Sequence, residues 1–172
     1  MPKKYLATYI LLGCLALLAV AVYIIKVQPF SNKEDASGIS FYSAFNKDNI
    51  TKIEIINSGQ TVTLTKESDK WMQDGVEAKT EDIDSIFTKT ADIKVTEPIT
   101  DSADKLTLFQ VDGSALTVKM YAGEQLIYHF YIGKNTPDYN GNYIRKEGEN
   151  KVYAAEPMIS YYFTKDSFAK EE

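Results

Sequence analysis

The sequence predicts an α+β fold: a sheet-dominated antiparallel meander with one main amphipathic helix, preceded by one transmembrane helix. Three observations carry that expectation. From Ile50 to Ala155, short runs with apolar residues at every second position recur between Gly, Asn, Asp and Ser turns, the pattern of antiparallel strands. One stretch around Ile83 to Thr90 switches to helical spacing. The N-terminal run Tyr5–Ile25 contains no charged residue.

As a helix rising ~1.5 Å per residue, that run spans ~31 Å and matches the ~30 Å hydrocarbon core of a bilayer. Tyr5, Tyr9 and Tyr23 stand near its ends, where amphipathic rings favour the membrane interface. Residues 1–4 then form a short basic N-terminus, 5–25 the anchor, 26–48 a juxtamembrane linker, 49–163 an extracytoplasmic domain and 164–172 a tail. Lys3 and Lys4 face Lys26 and Lys33 across the span, a slight positive-inside bias. With a short basic leader before a long polar domain, this places the N-terminus in the cytoplasm and the domain outside. Three fates of the segment stay open. An uncleaved anchor fits its length. Leu11-Leu12-Gly13-Cys14 resembles a lipoprotein box, in which Cys14 becomes lipidated. Ala19-Val20-Ala21 offers a cleavage site, although the apolar run exceeds the usual ~7–15-residue core of a signal peptide.

In the linker, Pro29, Ser31 to Asp35 and Gly38 give no period. Phe41, Tyr42 and Phe45 are left to dock on the domain or rest on lipid. Ile53 and Ile55 alternate with Lys52 and Glu54, and Asn57-Ser58-Gly59 turns the chain. Val62 and Leu64 alternate with Thr61, Thr63 and Thr65, and Trp71 closes the next strand as an expected core ring. Helical spacing of Ile83, Ile86, Phe87 and Thr90 predicts a helix from about Glu81 to Ala91. Thr80 is its expected N-cap, and Glu81, Asp82 and Asp84 complement the helix dipole. Ile93 to Ile99 reads as an edge strand ending at Pro98, and Ser102 to Phe109 as a short turn of helix. Leu116, Val118 and Met120 alternate in the following strand. Next, Leu126, Tyr128, Phe130 and Ile132 share one face while Ile127, His129 and Tyr131 share the other, which predicts a central strand. Gly141–Arg145 and Val152–Ala155 form the last hairpin around Gly148-Glu149-Asn150. Pro157 to Phe163 is expected to close the domain as a helix, with the end from Lys170 frayed.

In this order the elements resemble a bacterial family known only as domain of unknown function 4340. The residues that carry the resemblance are Ile50-Thr-Lys-Ile53-Glu-Ile55, Val62-Thr-Leu64, Trp71, the helix around Ile83 to Phe87 and Leu108-Phe109-Gln110-Val111-Asp112. Ile132-Gly133, Tyr143-Ile144-Arg145 and Val152-Tyr153 complete the set. They cover about residues 50 to 156, and Gln110-Val111 departs from a usual Gly-Leu pair. The resemblance implies a single N-terminal span and association with ABC-type export systems, including those linked to gliding motility. It implies no catalytic or binding residues.

Composition narrows the chemistry further. Net charge is −5, and three of the 19 basic residues flank the apolar run, leaving 16 against 24 acidic beyond it. An acidic domain with one arginine, Arg145, repels phosphate backbones, so no nucleic acid is expected as a partner. Cys14 is the only cysteine and His129 the only histidine, which excludes an intrachain disulfide and a multi-histidine metal site. His129 is expected as a partly buried, hydrogen-bonded structural residue. Asp138-Tyr-Asn140-Gly-Asn142 with Glu149 partly mimics a calcium loop, but the sixth position is Tyr143 where glycine is needed. No serine sits in a nucleophile elbow and no glycine loop cradles phosphate; the glycines at 113, 123, 133, 141 and 148 are spaced like meander turns. No cofactor is expected and no catalysis.

Twelve tyrosines, many between Tyr121 and Tyr162, are the remaining signal. Exposed tyrosines give large contact area at low entropic cost, and Tyr131, Tyr139, Tyr143 and Arg145 are the candidate partner-binding set. Tyrosines filling strand faces with their hydroxyls at the rim are the competing explanation. The expected function is a non-catalytic, membrane-anchored extracytoplasmic protein, an auxiliary component of an ABC-type transport (export) complex whose partners are the lipid bilayer and transporter subunits. Its alternative is a free-standing cell-envelope binding module that holds wall polymer or a surface protein through exposed tyrosines.

Overall fold

The computed structural model of the protein describes residues 38–170. The apolar run at 5–25, its flanking lysines and Cys14 therefore lie outside the described residues. Among the described residues, no helix is long and apolar enough to cross a membrane.

Ten strands form one antiparallel sheet: β1 (Ile39–Ser40), β2 (Lys52–Asn57), β3 (Gln60–Glu67), β4 (Lys70–Gln73), β5 (Val76–Glu77), β6 (Lys94–Val95), β7 (Leu116–Ala122), β8 (Gln125–Asn135), β9 (Asn142–Lys146) and β10 (Val152–Glu156). Their spatial order is β1-β6-β10-β9-β8-β7-β2-β3-β4-β5. Among the described residues three α-helices accompany them, α1 (Thr80–Ala91) and the single turns α2 (Leu106–Phe109) and α3 (Ser160–Phe163). The sheet-dominated α+β class predicted from the alternation is the class observed.

Period-two residues explain the main core. Ile53 and Ile55 sit opposite Leu64 and Val62 on one side, and opposite Met120 and Val118 on the other. Phe130, Ile132 and Ile144 continue the same face. Against it α1 presents Ile83, Ile86, Phe87 and Thr90, all buried, and Phe163 and Phe168 complete the cluster. Thr90 stays inside because its hydroxyl donates to the Ile86 carbonyl at 2.7 Å.

Several expectations are corrected. Thr80 is the first helical residue, not the cap; Lys79 takes that position without a side-chain cap, and its N–H donates to the Phe168 carbonyl. The expected edge strand at 93–99 shrinks to Lys94–Val95 and lies inside the sheet, because β1 adds to its outer side. A register shift between Met120 and Tyr121 sets β8 out of step. Ile127 thereby joins the main core and Leu126 is left exposed. Gly133 is no turn glycine: it lies within β8, where a Cβ would meet the Phe109 carbonyl oxygen at 2.2 Å.

The packed unit also extends beyond 49–163. Phe41 is 3 % exposed and lies edge-on to Tyr42, Phe130 and Tyr153. Tyr42 and Phe45 pack on Tyr128, whose hydroxyl donates to the Ala44 carbonyl. The three linker aromatics thus dock on the domain. At the other end Phe168 is fully buried, and Ala169 and Lys170 pair with Ala78 and Glu77 along the edge of β5.

Candidate functional site

The face of the sheet opposite α1 carries most of the residues singled out in the sequence. Tyr131 pairs with Arg145, and Arg145 with Val152, across β8, β9 and β10. Folded over them is α2, which ends at Gln110 in the left-handed region (φ 56°). This turn sends Val111 into a second small core with Tyr131 and Val152, flanked by Leu106, Phe109 and Tyr143. Arg145 lies beneath, 7 % exposed. Its Nε donates to the Val111 carbonyl at 2.7 Å and its Nη1 to the Glu149 carbonyl at 2.8 Å, while the guanidinium stacks 4.2 Å from the Tyr131 ring centre. The Tyr131 hydroxyl donates to Glu147, and that bond holds the Glu147 carboxyl below its ordinary range.

The structure therefore brings three of the four candidates together, but inward. Tyr131 and Arg145 are buried and hydrogen-bonded, and Tyr143 leans on Phe109 with ring centres 4.7 Å apart. Tyr139 is apart from them, 72 % exposed at a left-handed position (φ 58°) of the loop before β9. Asp138 in that loop accepts from the Thr136 hydroxyl at 2.6 Å and from the Asn140 N–H and amide. Its oxygens serve the turn. Among the described residues no group of three His, Cys, Asp or Glu is placed to hold a metal ion.

Toward β2 the same face becomes polar and open. Lys52 pairs with Glu54 at 2.9 Å and caps the Tyr121 ring at 3.9 Å, and the Tyr121 hydroxyl donates to Glu54 at 2.8 Å. Burial, then the Glu54 charge, pushes the Tyr121 phenol up to about 12. His129 lies between the two regions, its ring 5.3 Å from Tyr131. The expected side-chain hydrogen bond is missing at Nε2, which is buried without a partner. Burial lowers the imidazole below its ordinary value, with Lys119 and Arg145 adding to that and Glu147 opposing it.

A different place in the fold forms a groove. Between the β3–β4 hairpin, the start of α1 and the 3-10 turn Lys47–Asn49 lies a groove of about 250 Å³. Ile50, Ala78, Ile83 and Phe87 form its buried floor. Trp71 stands half-buried in its wall, tilted against Phe87 with centroids 5.6 Å apart. Charges of both signs ring it: Lys47, Asp48, Lys66, Asp69, Lys70 and Asp84. Glu77 is already engaged, by Lys170 and by Lys70 at 2.7 Å, which together hold its carboxyl down at about 2. Trp71 was read from the sequence as a core ring. The available signal was its setting, one tryptophan on a short strand beside Glu67-Ser68-Asp69-Lys70.

Comparison with known proteins gives one match. The family model described as a domain of unknown function (DUF4340) matches residues 73–170, from the end of β4 through α3 to the pairing of Lys170 with Glu77. No curated protein and no solved structure matches the chain. The match covers more than half of the sequence, and the chain belongs to the DUF4340 family.

Proposed function

We propose that this DUF4340 member is a non-catalytic, single-span membrane protein whose domain lies outside the cytoplasm, working as an auxiliary component of an ABC-type transport (export) complex. The observation that supports it most is the uncharged run at 5–25, long enough as a helix to cross a bilayer and followed by a long polar stretch. Gly13, Ala16, Ala19 and Ala21 supply small residues for close helix approach. The exporter link itself comes from the family resemblance.

Purification of the tagged full chain in mild detergent tests this. Transporter subunits should co-purify with the wild type and be lost when residues 5–25 are replaced by an unrelated apolar helix. A wild-type preparation without any transporter subunit overturns it. One observation favours the second reading, a free-standing binding module: the half-open Trp71 groove, rather than the tyrosines first considered.

A further inference from the structure

We infer that the Trp71 groove is a subsite for one neutral sugar ring of an extracytoplasmic polysaccharide. This deepens the binding-module reading by naming the site and the ligand class. Three properties of the groove select that chemistry.

The first is size. At about 250 Å³ the groove falls below the ~300–1,000 Å³ that encloses a whole drug-sized ligand, so it holds one ring of a longer molecule. The second is the wall. A half-buried indole gives a rigid, flat apolar face with a wet edge, which matches a pyranose ring with one C–H face and a hydroxylated rim. The third is the charge pattern. Lys47 adjoins Asp48, and Lys66 and Lys70 flank Asp69 around the β3–β4 turn, with Asp84 opposite on α1. An anion drawn to the lysines meets three aspartates, and a cation drawn to the aspartates meets the lysines. Neutral hydroxyls escape that conflict. They accept from ammonium groups and donate to carboxylates, so rim charges of both signs are usable partners, Lys70 excepted because it is held by Glu77.

Trp71 is the only tryptophan in the chain, so its emission reports this groove alone. Purified full chain, in a detergent without a sugar headgroup, is titrated with a soluble β-linked N-acetylglucosamine oligosaccharide and with a soluble β-glucan. Oligolysine and oligoglutamate serve as charged controls. Saturable quenching or a blue shift is expected with at least one oligosaccharide and with neither peptide. The rim variants Lys47→Ala and Asp84→Asn, whose side chains lie outside the core, should each weaken binding by about tenfold with an unchanged melting curve. No saturable change with either sugar overturns the inference, as does a response to a charged peptide alone. Sugar binding that both rim variants leave intact overturns it too, because the site then lies elsewhere. Binding to purified protein is independent of where the domain sits in the cell, so failure here is distinguishable from a failure to find the domain outside the cytoplasm.

Discussion

The Arg145 cluster and the Trp71 groove are built from the same ingredients, aromatic rings beside charged groups, yet they do opposite things. Around Arg145 the chain closes: α2 folds over the ring of Tyr131, and backbone carbonyls of Val111, Lys146 and Glu149 accept from the guanidinium. Around Trp71 it stays open: the rim charges belong to a hairpin turn, a 3-10 turn and the start of a helix, none of which covers the indole completely. The lesson is that residue type does not distinguish a binding surface from a buried polar network. Satisfaction does. A cation whose donors end on backbone carbonyls is holding the fold, whereas half-buried aromatic surface beside charges that are only partly paired leaves groups free to meet a ligand.

The largest expected effect tests the closed half of that comparison. Arg145→Leu removes a buried cation and leaves the Val111 and Glu149 carbonyls and the Tyr131–Glu147 pair without it. The expected loss is ~2–4 kcal/mol, from carbonyls left without a charged donor. Arg145→Lys should recover only part of this, since an ammonium cannot reproduce the planar fork. Thermal melting of the full chain in detergent measures both. A melting curve unchanged by Arg145→Leu would return Arg145 to the binding candidates.

A smaller effect tests the open half. Trp71→Ala would cost ~3–5 kcal/mol if the ring were fully buried; half-buried against Phe87, it should cost roughly 1–3 kcal/mol. Melting of Trp71→Ala and Arg145→Leu side by side orders them. A Trp71→Ala loss as large as that of Arg145→Leu would make the indole a core residue after all and remove the contrast.

Why the two regions were confused in the sequence has a physical answer. Strand alternation is written in the side chains themselves, so the faces of β2, β3 and β7 were legible: Ile53, Ile55, Leu64, Val118 and Met120 all lie where period two puts them. The same is true of Ile83, Ile86 and Phe87 on α1. What alternation does not encode is what covers each face. Arg145 is interior because Gln110 turns left-handed and returns Val111 above it, a long-range consequence of a loop. Gly133 is needed by the approach of Phe109, not by its own strand. Phe41 and Phe168 lie in aperiodic stretches, so their burial left no pattern. The shift at Met120 and Tyr121 exchanged the settings of Leu126 and Ile127 without any glycine or proline to mark it.

The smallest effect probes the margin of the closed region, where His129 meets Tyr131. Its Nε2 is buried without a partner, and desolvation lowers its proton affinity in the fold. Lys119 across the strand and Arg145 beside it disfavour a second positive charge, and Glu147 only partly offsets them. Below the ~6.5 of a free imidazole the unfolded chain binds the proton more readily than the folded one, so stability rises with pH in that window. The contribution is fully present above ~6.5 and is lost as pH falls through the lowered folded value. Because the imidazole is only half-buried, solvent screening holds the slope to a few tenths of a kcal/mol per pH unit. His129→Phe deletes the titration and the unpartnered nitrogen together. Between about pH 7.5 and about pH 5.5, the wild type should therefore lose slightly more stability than the variant in parallel urea titrations. With one histidine in the chain, that difference belongs to this position alone, and identical pH slopes in the two proteins would show that its nitrogen is solvated and that the closed region ends short of His129.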